Sequence, residues 1–188
     1  MEKVETIKKQ KSITEMLSSK KAKYIIGTIL LSGIGIALPR VFHMLAGNSA
    51  GATFLPMHIA VLIAAFTFGA ISGSVVAGSS IVFSYLLTGM PSLARLPYML
   101  MELLLYAILV SLFNKKFNAY VSLIATIVLG RILYAGVLFV AIHGMGLPTY
   151  GISVIESIKV GLPGIAIQLI CVPFIAKVMK ERLDLKND

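Results

Sequence analysis

Long runs of apolar residues, interrupted only briefly, dominate the chain from Tyr24 to Ile175. Nearly every stretch of twenty residues in that range consists mainly of Ile, Leu, Val, Ala, Phe and Gly, which leaves no sequence for a solvated surface. The runs are continuous and do not alternate between apolar and polar residues, so they favour helices over β-strands. Because a bilayer accepts only helices or closed barrels, the pattern predicts an all-α membrane protein.

Short polar or Gly-containing interruptions divide this region into predicted spans. Two brief apolar runs, His58–Phe68 and Ser72–Leu87, form either one long helix or two short ones. At 1.5 Å per residue these two runs extend about 17 and 24 Å, less than the roughly 30 Å of a hydrocarbon core. The other predicted spans are Tyr24 to about Leu45, Pro97–Phe113, Tyr120–Ile142 and Ser153–Met179.

The distribution of basic residues favours six spans over five. With six spans, the seven lysines of residues 1–23, Lys115 with Lys116, and the basic residues after Ile175 share one side of the membrane. Only Arg40 and Arg95 then face the other side, whereas five spans would divide the basic residues between both sides. Since basic residues concentrate in cytoplasmic loops, we predict a compact bundle of six transmembrane helices in the plasma membrane, with both termini cytoplasmic.

The polar segments at the two ends of the chain are predicted to lie in the cytoplasm. In residues 1–23, Ser12 and Glu15 fit a capping box, which predicts a short amphipathic helix on the inner leaflet, with a disordered basic tail as the alternative. The membrane domain covers residues 24–180, and residues 181–188 form a tail. A basic start also fits a signal peptide, but the first apolar run exceeds the roughly 7–15 residues typical of one.

Composition and motifs exclude several classes of protein. Hydrophobic residues make up 57% and charged residues 13% of the chain, against roughly 25% charged residues in a soluble domain. The net charge is +9, yet the basic residues are not interleaved with aromatic ones, so we predict no nucleic-acid partner. The sequence has no G-x-x-x-x-G-K-[ST] loop and no H-E-x-x-H motif. We therefore expect a protein that is not an enzyme and needs no metal or cofactor.

Charged residues inside the predicted spans are candidates for function, because such groups in lipid usually face a cavity or a partner. From the helical rise, Glu102 lies about 7 Å below the outer end of its span, and Glu156 and Lys159 lie about 5 and 10 Å below theirs. Arg131 is nearer the midplane, with Tyr134 one turn further out. These positions predict a polar pocket open to the exterior and walled by the last three spans.

The alternative is that the same charges only pair with one another. Glu156 and Lys159 have the i,i+3 spacing of a helical ion pair, and Arg131 would then pair with Glu102 to hold two helices together. The two interpretations stay open on the sequence alone.

The outer loops are predicted at Asn48–Met57, Thr88–Pro97 and His143–Tyr150, and they are rich in Gly and Pro. Residues in or beside these loops are candidates for closing over a ligand, although tyrosine also favours the membrane interface. These candidates are His58, Arg95, Tyr98 and Tyr150.

Small residues on the first span predict a close contact with another helix. Gly33 and Ala37 are four residues apart, as are Thr28 and Ser32, and such pairs let two helices approach closely in lipid. The contact is either internal or with a partner protein.

Several short motifs together resemble the substrate-binding S components of energy-coupling factor (ECF) transporters. The resemblance covers roughly residues 24–180. The motifs are Phe-Leu-Pro-Met-His-Ile at 54–59, the turn at Gly69, Leu-Leu-Thr-Gly-Met-Pro at 86–91, Met-Glu-Leu-Leu-Leu-Tyr at 101–106, Gly-Arg at 130–131 and Gly-Leu-Pro-Gly-Ile-Ala-Ile-Gln at 161–168.

This resemblance implies a six-helix subunit that captures a vitamin or related micronutrient outside the cell. It implies a transmembrane T protein and two cytoplasmic ATPases as partners, which would supply the energy for uptake. It also implies a pocket near the outer face, formed by the later helices and the loop after the first span. Gly33 and Ala37 are the nearest match to the small-residue motif with which the first helix of such subunits contacts the T protein.

The class of ligand and two other functions stay open. Arg95, Arg131 and Lys159 suit an anion such as pantothenate, whereas Glu102 suits an amine or a hydroxyl-bearing ring such as pyridoxine or hydroxymethylpyrimidine. A structural or assembly protein would use the buried charges only for pairing. A small intramembrane enzyme would use Glu102, His58 or Glu156 as an acid or base.

Overall fold

A computed structural model of the chain describes residues 19–47, 50–93, 95–144, 146 and 154–185. The predicted amphipathic segment before residue 19 and the loop residue Tyr150 lie outside this part. The described residues form helices and turns without a strand, and six of the helices are long and apolar enough to cross a membrane. The prediction of an all-α chain with six such helices is confirmed.

The helices are numbered in chain order. They are α1 Lys20–Ala46, α2 Ala50–Phe54, α3 Pro56–Phe68, α4 Ala70–Thr88, α5 Leu96–Phe113, α6 Ala119–Phe139 and α7 Val154–Arg182, with a π-helical turn Val140–Gly144 continuing α6. Helix α1 begins one turn before the predicted Tyr24, and α7 ends two residues beyond the predicted boundary at 180. The predicted outer loop at 48–57 contains the short helix α2.

Local sequence explains where several helices begin. The Ser19 side chain accepts a hydrogen bond from the amide of Ala22 at the start of α1, and Asn118 accepts one from the amide of Val121 at the start of α6. Both are favoured N-cap residues because their side chains satisfy an otherwise unpaired amide. Pro56 lies in the first turn of α3, where its missing amide hydrogen costs nothing.

Gly69 divides the second apolar region into two helices. Its φ of +90° and ψ of 179° lie in a region that residues with a side chain rarely adopt, so the chain turns sharply there. Beyond the turn, Gly73 packs directly against Ala65, which shows that α4 folds back along α3. The two brief runs are therefore two separate helices.

Helix α3 is the centre of the bundle. Twelve of its thirteen residues are buried, and it packs against α1, α4, α5 and α7. Its sequence is almost uniformly apolar, which is typical of a helix surrounded on all sides. Glycines on α1 permit the close approach: Phe68 occupies the space beside Gly27, and Ala60 and Ser80 lie against Gly35.

The other side of α1 is exposed and contains Gly33 and Ala37. Ser32 differs from them, because the Ser79 hydroxyl of α4 donates a hydrogen bond to its hydroxyl at 2.9 Å. Thr28 donates to the carbonyl of Tyr24 in its own helix. Of the four small residues predicted at a partner interface, Ser32 thus makes a contact inside the chain, whereas Gly33 and Ala37 remain accessible.

Large apolar side chains cover much of the outer surface of the bundle, the reverse of a soluble protein. Such a surface matches lipid tails. Examples with well over half of their area exposed are Ile25, Ile29, Leu30, Ile71, Leu86, Ile132, Phe139, Ile155, Ile170 and Phe174.

Both ends of the described chain lie at the same end of the bundle, which we call the terminal end. The Lys23 ammonium donates a hydrogen bond to the carbonyl of Leu183 at 2.9 Å, joining the start of α1 to the residues after α7. The Tyr24 and Phe68 rings are 5.3 Å apart, which places the turn at Gly69 at this end too. The Asn114 side chain donates to the carbonyl of Phe66 at 3.5 Å, so the turn after α5 also lies here. The opposite end is called the cavity end.

Candidate functional site

A cavity of about 590 Å³ opens between the helices at the cavity end of the bundle. All six long helices contribute to its walls, whereas the sequence predicted mainly the last three. Helix α2 and residues 90–92 add to the rim. The polar side chains that line it are His43 of α1, His58 of α3, Ser84 of α4, Ser92 and Arg95 before α5, Tyr98 and Glu102 of α5, Arg131 and Tyr134 of α6, and Glu156 and Ser157 of α7.

An ion pair between α5 and α6 forms the inner wall of the cavity. The Glu102 Oε1 and Arg131 Nη1 atoms are 2.7 Å apart, and both side chains are more than nine-tenths buried. The same Arg131 Nη1 donates a hydrogen bond to the Ser157 hydroxyl of α7 at 3.2 Å. The structure therefore combines the two alternatives for these residues: Glu102 and Arg131 pair, and the pair also lines a cavity.

His58 lies beside this pair with its ring almost fully buried. Its Nε2 atom is 3.6 Å from Glu102 Oε1, too far for a strong hydrogen bond. Within the described part of the chain, neither ring nitrogen of His58 has a hydrogen-bond partner, and neither does Arg131 Nε. Buried polar atoms are normally satisfied, so these unpaired atoms mark His58 and Arg131 as the polar centre of the cavity lining.

The Tyr106 ring packs against the His58 ring. The centroids of the two rings are 5.3 Å apart at an angle of 64°, an edge-to-face contact. Tyr106 is almost fully buried, and its ring fills the space where a side chain on Gly130 would lie. Gly130 precedes Arg131, so one short segment of α6 supplies both the cation and the room for the ring that positions His58.

Apolar and aromatic groups make up much of the remaining wall. Tyr98 and Tyr134 are buried and pack in one small cluster with Leu138 and Ala141. Both tyrosines also line the cavity, as do Met57 and Met99. The cavity therefore presents flat rings and polarisable sulfur atoms around a small polar centre.

The other predicted site residues lie in different places. Arg95 and Glu156 are exposed and line the mouth of the cavity. Lys159 is exposed and is not among the residues that line the cavity, so the structure does not bring it together with the other predicted site residues. The rotation of α7 about its axis explains this difference. Glu156, Ser157 and Val160 lie on the face of α7 that lines the cavity, whereas Lys159 lies beyond Glu156, on the side of the helix away from Ser157.

His43, Ser84 and Ser157 line the cavity and were not predicted from the sequence. Ser157 had a usable signal, since it follows Glu156 on the same helix. His43 near the end of the first span had a weaker one, and Ser84 is indistinguishable by sequence from the other serines of α4.

Residues 47–51, Gly-Asn-Ser-Ala-Gly, match the G-x-S-x-G pattern of serine hydrolases. In those enzymes the serine stands on a turn from a strand to a helix. Here the described residues before the motif form helix α1, which ends at Ala46, and not a strand, so the match carries no catalytic assignment.

No family model, no curated protein and no solved structure matches this chain. The cavity and its lining are therefore interpreted from their own geometry.

Proposed function

We propose that this chain captures a small water-soluble vitamin or vitamin precursor as the S component of an ECF-type importer. The observation that carries the proposal is the cavity between the six long helices, with buried unpaired polar atoms on His58 and Arg131. Buried polar atoms normally have hydrogen-bond partners, so we expect a polar ligand to supply the partners that these atoms lack.

The size and lining of the cavity suit capture without an energy source. Small-molecule sites usually occupy roughly 300–1,000 Å³ and combine a mainly apolar wall with a few converging polar groups. A volume of about 590 Å³ lies within this range. Here the polar groups are carried by helices fixed in a tightly packed bundle, so the site is largely preformed.

The direction of capture follows from the positive-inside rule. The terminal end holds Lys20, Lys21 and Lys23 at the start of α1, and Lys115 and Lys116 after α5. Under this proposal that end lies in the cytoplasm. The cavity end then faces the outside of the cell, where a nutrient must be captured.

The energy for release into the cell is assigned to partner proteins. The sequence contains no nucleotide-binding loop, so the proposal includes two cytoplasmic ATPases and a transmembrane T protein. The exposed side of α1 around Gly33 and Ala37 is the surface proposed for the T protein, because small residues allow another helix to approach.

Equilibrium binding to the purified protein tests the proposal. Isothermal titration with a panel of water-soluble vitamins should find a ligand with a dissociation constant in the nanomolar to micromolar range, and His58→Ala should weaken its binding. Val75→Ala, an exposed position on the outside of α4, is the matched control and should bind normally. Finding no ligand in the panel and no co-purifying ATPase would contradict the importer assignment.

The Glu102–Arg131 ion pair favours a second candidate, an assembly or structural membrane protein. In that case the pair only joins α5 to α6. Replacing both residues together, Glu102→Gln with Arg131→Gln, should then leave function in cells intact. Under the importer proposal the double variant folds but loses most of its ligand binding or uptake, so one strain distinguishes the two.

A further inference from the structure

We infer that the captured ligand is a net-uncharged heteroaromatic ring whose hydrogen-bond donor and acceptor groups meet His58 and Arg131. The inference rests on the proposed function and narrows its substrate class. It chooses between the two ligand classes that the sequence left open, the anion and the hydroxyl- or amine-bearing ring.

The first observation is the balance of charge along the cavity wall. Its charged side chains are two acids and two bases: Glu102 and Arg131 deep inside, and Glu156 and Arg95 exposed at the mouth. The deep pair is joined at 2.7 Å, so the charges of Glu102 and Arg131 cancel each other. A charged ligand would either be buried without a counter-ion or have to separate this pair, and both are costly.

The second observation is the kind of hydrogen bond that the deep wall offers. Imidazole nitrogens can donate or accept hydrogen bonds according to the tautomer, and both ring nitrogens of His58 are buried without a hydrogen-bond partner in the described structure, with Nε2 3.6 Å from Glu102 Oε1. The Arg131 Nε–H is a further unused donor. A carboxylate only accepts hydrogen bonds and an ammonium only donates them. A ring that carries nitrogen together with hydroxyl or amino groups does both.

The third observation is the presence of aromatic and sulfur-containing residues in the remaining wall. Tyr98, Tyr134, Met57 and Met99 line the cavity together with His58 and Arg131. Aromatic faces and sulfur atoms make favourable contacts with a flat ring. A flexible acyclic acid would gain less from these surfaces, so the wall and the polar centre point to the same class.

A charge-matched panel tests the inference by isothermal titration with the purified full chain. Hydroxymethylpyrimidine and pyridoxine are the net-uncharged ring probes, pantothenate is the anionic probe, and thiamin is the cationic probe. At least one of the two net-uncharged probes, which we call the ring alcohols, should bind about a hundredfold more tightly than both charged probes. Each tenfold difference in affinity corresponds to only about 1.4 kcal/mol. Equal or tighter binding of pantothenate or thiamin would overturn the inference, and so would failure of both ring alcohols to bind.

Variants of the ion pair provide a second readout. Glu102→Gln leaves the positive charge of Arg131 uncompensated, so the affinity for pantothenate relative to the ring alcohols should rise at least about tenfold. Arg131→Gln should shift the preference towards thiamin in the same way. If either single variant does not fold, the double variant keeps the wall neutral, so the weak binding that it retains should still favour the ring alcohols over both charged probes; a reversed order would overturn the inference. An unchanged preference in the folded single variants would overturn the inference.

The same measurements separate this inference from the proposed function. If pantothenate or thiamin binds best and the partner ATPases co-purify, the ligand class is wrong and the importer assignment stands. If no probe binds and no ATPase co-purifies, both are wrong.

Discussion

At the scale of single residues, the buried Glu102–Arg131 pair is a costly feature of the bundle. Two charges are held in its interior, and their contact at 2.7 Å and the hydrogen bond to Ser157 compensate in part for the lost water. Apolar residues of similar size would fill the same space at lower cost in many proteins. The pair is therefore better explained by a ligand that uses its polarity than by packing alone.

Removing one member of this pair should destabilise the protein strongly. We expect Glu102→Gln to lower the free energy of unfolding by about 3–5 kcal/mol, because a buried arginine is left without its counter-ion. The double variant with Arg131→Gln should recover much of the loss. Thermal unfolding in detergent measures both, with exposed Glu181→Gln on α7 as the control. A single variant as stable as the unmodified protein would show that the pair is not formed.

Gly130 is expected to act on the cavity through Tyr106. A methyl group there would collide with the Tyr106 ring, so Gly130→Ala should cost about 1–3 kcal/mol of stability and displace the ring from His58. Ligand affinity should fall with it. Gly136→Ala is the matched control on the same helix, because nothing lies within 4 Å of its added methyl. Equal effects of the two substitutions on stability and affinity would contradict this role for Gly130.

At the scale of helices, α1 has one packed face and one open face. Gly35 lies against Ser80 and Ala60, whereas the side of the helix at Gly33 is open. We expect Gly35→Leu to prevent normal packing of α1 against α3 and α4, seen as a large loss of thermal stability. Gly33→Leu should fold and bind ligand normally but reduce co-purification of the T protein and uptake. If Gly33→Leu left uptake unchanged, this face would not be the partner surface.

The sequence predicted most helices because their apolar runs are bounded by charged or Gly-rich segments. Helices α1, α5 and α6 begin within four residues of their predicted starts. The division of the second apolar region depended on one residue, Gly69, whose backbone conformation is not readable from hydropathy. The short helix α2 was missed, because five residues between two apolar runs carry little periodic signal.

The site was less predictable than the fold for a related reason. Charges inside spans identified Glu102 and Arg131, since their cost in lipid makes them conspicuous. The rotation of α7 about its axis could not be read from a sequence that is apolar on most of its faces. Lys159 was therefore placed in the pocket, and Ser157 was overlooked.

At the scale of the whole molecule, an even number of long helices places the two ends of the described chain together and the cavity at the opposite end. The hydrogen bond from Lys23 to Leu183 joins the start of α1 to the residues after α7 at the terminal end. The cavity, lined by His58, Arg131 and Glu156, lies at the other end of the bundle. The side of the membrane that each end of the bundle faces is then the one remaining assignment. Under the proposed function, the basic residues of the terminal end favour the cytoplasmic side for that end.

Labelling of single cysteines from outside the cell tests this assignment and the cavity together. In a Cys171→Ser background, Ser84→Cys places a thiol on the cavity wall and Lys115→Cys places one on the exposed turn at the terminal end. In intact cells, a small membrane-impermeant thiol reagent should label Ser84→Cys, and saturating hydroxymethylpyrimidine or pyridoxine should slow that labelling. Lys115→Cys should react only after permeabilisation. Labelling of Ser84→Cys only after permeabilisation, or at a rate that neither compound changes, would contradict an outward-facing, ligand-binding cavity.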